Sequence, residues 1–349
     1  MKQLTGPALN LAPFVSDQVP FNTLDTLCDW AVANGYQGVE LPSWDARLFD
    51  LQRAADDDAY CADLQALLAG KQLVLTSLSS WVQGQALCAH PAYAPLLEPW
   101  LPASVRGDTA AREAWAASQL ALAARASKRL GLRHHVTASG GRVWPFLDLD
   151  ARLCPEGLVD LGFEELARRW RPVLDAFNAA GVDLCFQLEQ GQDVHDGATF
   201  ERLRESVGHH PRCRLVFDPG RLLLQQIDYL QFLDLYAPYV GAFHVSDAEF
   251  LASGRDGMHG GALPASRRSA RPRSPGDGQV DFRAVFARLP ACGFGGWAVV
   301  DWACALKNPL MGAREAADFV QGGLLPPAGG YSPPGPAADE ALYRRALGL

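Results

Sequence analysis

The stretch Phe163–Glu189, FEELARRWRPVLDAFNAAGVDLCFQLE, decides the fold. Its first part carries apolar residues at helical spacing, and the spacing predicts a helix over Phe163–Ala180. Gly181 supplies the left-handed conformation in which helices commonly end. Val182–Glu189 follows at once as an apolar run with polar residues at its end, the pattern of a strand covered on both faces. Residues two apart on a strand face the same way, so Gln187 and Glu189 project to one side and Leu188 to the other. A helix, a capping glycine and a buried strand within so few residues make half of a β/α repeat.

Outward from this stretch the rhythm persists. Strands are predicted at Ala8–Phe14, Gln37–Leu41, Gln72–Ser79, Leu132–Ala138, Cys213–Asp218, Val240–Ser246 and Gly296–Trp302. Helices are predicted between them, at Thr23–Asn34, Asp57–Ala69, Thr109–Leu130, Ala198–Val207, Tyr229–Ala237, Phe282–Cys292 and Gly312–Val320. Gly35, Gly131 and Gly293 end helices as Gly181 does. With the central pair this gives eight β/α units and implies a closed (β/α)8 TIM barrel, an α/β fold. An open doubly wound sheet is the weaker alternative, because no glycine-rich phosphate fingerprint follows the first strand.

The chain has 349 residues. At about 150 residues per domain that suggests two domains, but one barrel accommodates about 250 or more. The reading is one barrel over residues 1–321, with a Gly/Arg/Ser/Pro-rich insertion over 253–278 after strand seven. That insertion carries Arg255, Arg267, Arg268, Arg271 and Arg273. It reads either as a solvated loop or as a mobile lid that brings arginine onto an anionic substrate. Residues 322–349 read as a linker, Gly322–Pro336, and a short helix near Ala338–Leu347.

Hydrophobic residues make up 48% of the chain and charged residues 20%, which excludes disorder of the whole. The net charge of −8 argues against a nucleic-acid partner. No apolar run of about 18 residues predicts a membrane span, and the N-terminus lacks the pattern of a signal peptide. Eight scattered cysteines without zinc spacing read as reduced thiols. These features point to the cytoplasm.

Barrel chemistry sits where strands end. Glu40 ends strand two; His134 and His135 lie in strand four, on alternate faces. Gln187 and Glu189 end strand five, Asp218 strand six, His244 strand seven and Asp301 strand eight. Polar side chains on four consecutive strand ends converge above the barrel axis. Bland alternatives stand beside this. Asp218 before a proline is a natural turn cap, His244 a natural core histidine, and Gln187 as readily a hydrogen-bonding core residue as a ligand. Trp44, Trp81, Trp144 and Trp302 suit sugar stacking or plain packing.

The segments GYQGVEL (35–41), FDP (217–219), FHVSDA (243–248), GDGQVDF (276–282) and GWAVVDW (296–302) carry a resemblance. The sequence resembles the sugar phosphate isomerase/epimerase group of the xylose-isomerase-like TIM-barrel superfamily, over about residues 6–320. The resemblance implies one divalent cation (Mn, Mg, Co or Zn), held by Glu, Asp, His and Glu on strands five to eight. Asp218 and His244 match that pattern. Gln187 and Asp301 stand where glutamates are usual, Arg221 and Trp81 where histidines are common, and Ser246 where a lysine is frequent.

The scaffold is thus kept while the centre is altered. The expected metal set is Gln187, Asp218, His244 and Asp301, with the cation weakly held or lost. A glutamine offers a neutral oxygen but cannot take up a proton. The expected catalytic residues are Glu189, Asp301 and His135, the last chosen over His134 by the resemblance. Glu189 is placed to replace the missing carboxylate as ligand or base. Glu40, Trp81, Arg221 and Trp302 are expected to bind substrate. Two functions follow. One is a metal-dependent isomerase, epimerase or related lyase that acts on a small sugar or sugar derivative through an enediolate. The other is a metal-free, non-catalytic barrel that binds sugar or serves as a partner subunit. Arg221 favours the second, because its charge repels a cation or replaces one. A DNA-repair endonuclease is disfavoured by the charge and the few histidines. A homo-oligomer is compatible with either function.

Overall fold

The computed structural model describes residues 3–150, 152–324 and 339–349. Seven parallel strands come first: β1 (Thr5–Asn10), β2 (Gly38–Pro42), β3 (Val74–Ser80), β4 (His134–Thr137), β5 (Asp183–Phe186), β6 (Cys213–Phe217) and β7 (Val240–Val245). β8 (Asp247–Phe250) and β9 (Ala270–Arg273) form a separate antiparallel hairpin. β10 (Trp297–Val300) then pairs with β7 on one side and β1 on the other. The sheet closes as the expected (β/α)8 barrel. No helix among the described residues is long and apolar enough to cross a membrane.

The helices form where expected: Leu24–Ala33, Asp58–Gly70, Thr109–Arg129, Leu158–Ala180, Gly197–Ser206, Tyr229–Tyr236, Phe282–Ala291 and Pro309–Gly323. Asp57, Asp108, Asp196, Asp228 and Asp281 cap five of them by accepting backbone N–H groups of the first turn. Side-chain alternation then sorts two cores. Leu184, Phe186, Phe217 and Phe243 join the large core under the helices, where Phe186 meets Trp170 edge-on at 4.8 Å. Val136, Cys185, Val216 and Ala242 form a small buried cluster of their own, on four adjacent strands. That cluster fills the barrel interior and fixes which residues of each strand point toward the axis.

Several boundaries differ from the sequence reading: the fifth strand ends at Phe186, so that Gln187 and Glu189 follow it, and the helix before it begins at Leu158 rather than Phe163. The first strand is Thr5–Asn10 rather than Ala8–Phe14. Asn10 Oδ1 accepts the backbone N–H of Ala12 at 3.1 Å, and Ala12–Phe14 becomes a 3-10 turn. The insertion is not wholly irregular, because Ala270–Arg273 pairs with β8. The helix expected to stop at Val320 runs to Gly323, so Gly322 is helical; residues 325–336 of the expected linker lie outside the described residues. The short C-terminal helix is Glu340–Leu347.

Asp247 closes the insertion. Its buried carboxylate accepts backbone N–H groups of Gly276, Gly278 and Val280 at 2.9–3.1 Å. The GDGQVDF segment therefore serves the return of the chain, and Asp281 within it caps the next helix.

Candidate functional site

Register brings the strand ends together at the C-terminal mouth. Asp218 follows β6, His244 lies in β7 opposite Val299 of β10, and Asp301 follows β10. Each offers one ligand atom, and these atoms lie within 4.8 Å of one another. All three residues are buried. Asp218 also caps the turn Pro219–Leu224, accepting the Arg221 backbone N–H at 3.0 Å on Oδ1. Its Oδ2 is buried without a hydrogen-bond partner. Gly220 is required beside it, because a Cβ there would lie 2.4 Å from Ser246 Oγ. Ser246, in the usual place of a lysine, donates its hydroxyl to Asp218 Oδ1.

Each group has a support that the sequence did not reveal. Asn10 Nδ2 donates to Asp301 Oδ1 at 3.0 Å. Ser77 Oγ donates to Glu40 Oε2 at 2.6 Å, and that oxygen lies 3.2 Å from His244 Nε2. Glu40 is thus the buried partner of His244. Burial disfavours a charged His244 imidazole, but Glu40, with Asp301 and Asp218 beyond it, pushes its pKa up to about 9. Burial raises the Asp218 carboxyl, with Arg221 opposing. Burial acts the same way on Asp301, yet Arg221, His244 and the Asn10 amide outweigh it and hold Asp301 below the ordinary carboxylate range.

Arg221 stands among these groups. Its Nη1 lies 3.2 Å from Glu189 Oε2 and its Nη2 3.5 Å from Asp301 Oδ2. Glu189 and then Asp301 outweigh its burial and hold the guanidinium firmly protonated. Glu189 is fixed further by Trp81 Nε1, which donates to Oε1 at 3.3 Å. Gln187 Nε2 lies 3.4 Å from His244 Nδ1. Gln187, Glu189, Arg221, Asp301, Trp81 and Trp44 wall a cavity of about 210 Å³. A cavity of about 650 Å³ opens at the opposite mouth beside His134 and Asp183, away from this constellation.

Two expected site residues turn away. His135 does not face the axis. It alternates with Val136 of the interior cluster, so its ring lies among the helices, 5.2 Å from Phe177. Ser127 Oγ lies 3.0 Å from its Nδ1 and Ser80 Oγ 2.7 Å from its Nε2. Burial drives its pKa down to about 3, which leaves it a neutral structural histidine. Trp302 packs on Phe14 and donates Nε1 to Ser274 Oγ at 3.1 Å, outside the walls of the 210 Å³ cavity. Asn10 went unrecognised because a strand drawn through Phe14 hides the residue at its true end.

The donor set fits the divalent cation that the resemblance implies. Asp218 Oδ2 is an orphaned buried acceptor, and the Glu40–His244 pair has the form in which a carboxylate orients a metal-binding imidazole. The Gln187 amide oxygen is a neutral fourth donor of the type hard cations accept. Arg221 is the opposing feature, a resident cation on Asp301.

Comparison with known proteins agrees with this architecture. A family model described as xylose isomerase-like TIM barrel matches residues 28–322. Inosose dehydratase of Bacillus velezensis is 30% identical over 151 residues, covering 42% of this chain and 50% of that protein. Inosose dehydratase of Serratia proteamaculans is 28% identical over 173 residues, covering 44% and 54%. The chain spans about half the length of these curated relatives. Among solved structures, an L-ribulose 3-epimerase aligns with TM-score 0.59 at 16% identity, over 93% of this chain and 95% of the other. The 3-keto-D-glucoside 4-epimerase of E. coli aligns with TM-score 0.58 at 14% identity, over 90% and 98%. At such identities these two share the fold alone. With residues 28–322, well over half of the chain, matched by that model, the chain belongs to the xylose isomerase-like TIM barrel family.

Proposed function

We propose that this protein is an enzyme that takes a proton from the carbon beside a carbonyl of a sugar or sugar derivative. The observation that carries the reading is the gathering of Asp218, His244 and Asp301 within 4.8 Å, beside a further carboxylate, Glu189, on a tryptophan-walled cavity. Asp218, His244, Asp301 and the Gln187 amide oxygen are the proposed holders of a divalent cation. When bound, it supplies positive charge that polarises a substrate carbonyl. Glu40 keeps His244 oriented, and Asn10 does the same for Asp301.

Glu189 is the proposed base, held in place by Arg221 and Trp81. Epimerisation needs a proton acceptor on each face of the carbon, and Gln187 cannot be one. Elimination needs only a single shuttle. The C–H electron pair becomes the new double bond, the neighbouring C–OH bond breaks, and the proton on Glu189 leaves with that hydroxide as water. A dehydratase is therefore the favoured outcome, in keeping with the inosose dehydratase relatives. Trp44 and Trp81 supply a wall against which a sugar ring packs.

The second reading, a metal-free barrel that binds sugar, is favoured by one observation: Arg221 already joins Glu189 and Asp301. Deuterium exchange separates the two. The protein is incubated in D2O with Mn2+ and a keto-cyclitol or ketose, and the proton beside the carbonyl is followed by NMR. Exchange or water loss in the parent, absent in Glu189→Gln, is the expected result. Substrate binding without exchange under Mn, Mg, Co and Zn would leave the second reading.

A further inference from the structure

A second chamber adjoins the inner cavity and shares two of its walls. It measures about 450 Å³ and lies between Glu189 and Arg221 on one side and the insertion on the other, with Met258, His259 and Arg268 among its lining. The insertion is held there by structure of its own. β8 packs on the turn Pro219–Leu224 that carries Arg221, and Glu249 of β8 ties down Arg271 and Arg273 of β9. Two of the five insertion arginines are thereby paired with a carboxylate.

Arg268 is not. Its Nε donates to the Leu263 carbonyl at 2.8 Å and its Nη2 reaches the Gly261 carbonyl at 3.4 Å, which fixes the guanidinium plane. Among the described residues it has no carboxylate partner, so the chamber wall keeps a whole positive charge. Gln190 also lines the chamber, and its amide nitrogen, Nε2, is buried behind that surface without an acceptor. The one carboxylate of the lining, Glu189, is already matched by Arg221. The wall therefore offers donors and net positive charge.

Size points the same way. The inner cavity, about 210 Å³, is below the roughly 300 Å³ at which ligand pockets usually begin, and it suits a single ring. A larger ligand that extends past Glu189 and Arg221 enters the outer chamber.

We infer that the outer chamber is a subsite for an anionic group, phosphate or carboxylate, carried on the sugar whose ring occupies the inner cavity, with Arg268 as its specificity-determining residue. The inference rests on the sugar reading above for the inner ring alone.

Binding is measured directly by calorimetry, without turnover, for a free hexose, its 6-phosphate, the matching hexuronate and inorganic phosphate. One anionic sugar should bind at least about tenfold more tightly than the free hexose, and which one does so identifies the anion. Arg268→Ala should erase that preference while leaving free-hexose affinity unchanged, and Arg268→Lys should retain part of it. Gln190→Leu should weaken the preference without touching the insertion. Equal affinity for all three sugars would overturn the proposal, as would a preference that survives Arg268→Ala, or inorganic phosphate binding as tightly as the sugar phosphate. Anion preference without deuterium exchange keeps the subsite and removes the enzyme reading; exchange without anion preference does the reverse.

Discussion

Asn10 and Asp301, 291 positions apart, meet where the first and last strands close the barrel, with Asn10 Nδ2 donating to Asp301 Oδ1 at 3.0 Å. The seam of the fold is thus also a strut of the candidate site. Removing the amide leaves a buried carboxylate oxygen without its donor, which costs about 1–3 kcal/mol. Asn10→Ala should lower the unfolding free energy, read from urea denaturation, by that amount, and Asn10→Asp should do no better, because it sets two carboxylates face to face. A midpoint unchanged in Asn10→Ala would show that the strut carries no load.

Arg221 should hold down cation affinity. Unit charges about 4 Å apart interact by roughly 4 kcal/mol at an effective dielectric of about 20. Arg221 Nη2 is 3.5 Å from Asp301 Oδ2, so Arg221→Met should bind Mn2+ at least about tenfold more tightly in calorimetry. Equal affinities would mean that the guanidinium swings clear at no cost.

Gln187 and Glu189 should separate affinity from chemistry. Gln187→Glu adds a third carboxylate to the proposed donor set and should tighten Mn2+ binding by about tenfold. Glu189 belongs to Arg221 and Trp81 rather than to the cluster of three ligand atoms. Glu189→Gln should therefore leave Mn2+ affinity within about threefold while abolishing deuterium exchange. Loss of binding in that variant would make Glu189 a ligand.

Asp193 should impose a pH dependence on stability. It accepts backbone N–H groups of Arg142, Val143 and Trp144, but burial dominates and raises its carboxyl to about 7. The unfolded chain releases that proton near pH 4. Between about pH 4 and 7 the folded state thus holds the proton more tightly, and stability falls as pH rises, by at most about 1.4 kcal/mol per unit. Asp193→Asn lacks this group. Urea midpoints at pH 5 and pH 8 should show the variant gaining on the parent at the higher pH; a constant difference would refute the assignment.

Much of this architecture was legible because parallel strands covered on both faces are apolar runs that glycine-capped helices set apart. Gly181 does stand at positive φ before β5. Ala270-Arg271-Pro272-Arg273 looks nothing like a strand; it becomes one because β8 offers an edge and Glu249 binds both arginines. Asp218, His244 and Asp301 were legible as strand ends. His135 misled because adjacent positions face opposite ways, and the phase of β4 is set by Cys185, Val216 and Ala242 on other strands. The supporting contacts of Asn10, Ser77 and Ser246 were invisible for a related reason: each reaches a group on a different strand.

Arg221 reaches Asp301 from the wall between the inner cavity and the outer chamber. On the proposed reading, an anion seated beyond that wall would compete with Asp301 for the same guanidinium. Drawn outward, Arg221 would give up an oxygen of Asp301 to a cation on the inner side. The two ligands would then be thermodynamically linked, each strengthening the binding of the other by the same factor. A substrate with an anionic arm would so complete the centre that receives it, whereas a neutral sugar would leave Arg221 on Asp301.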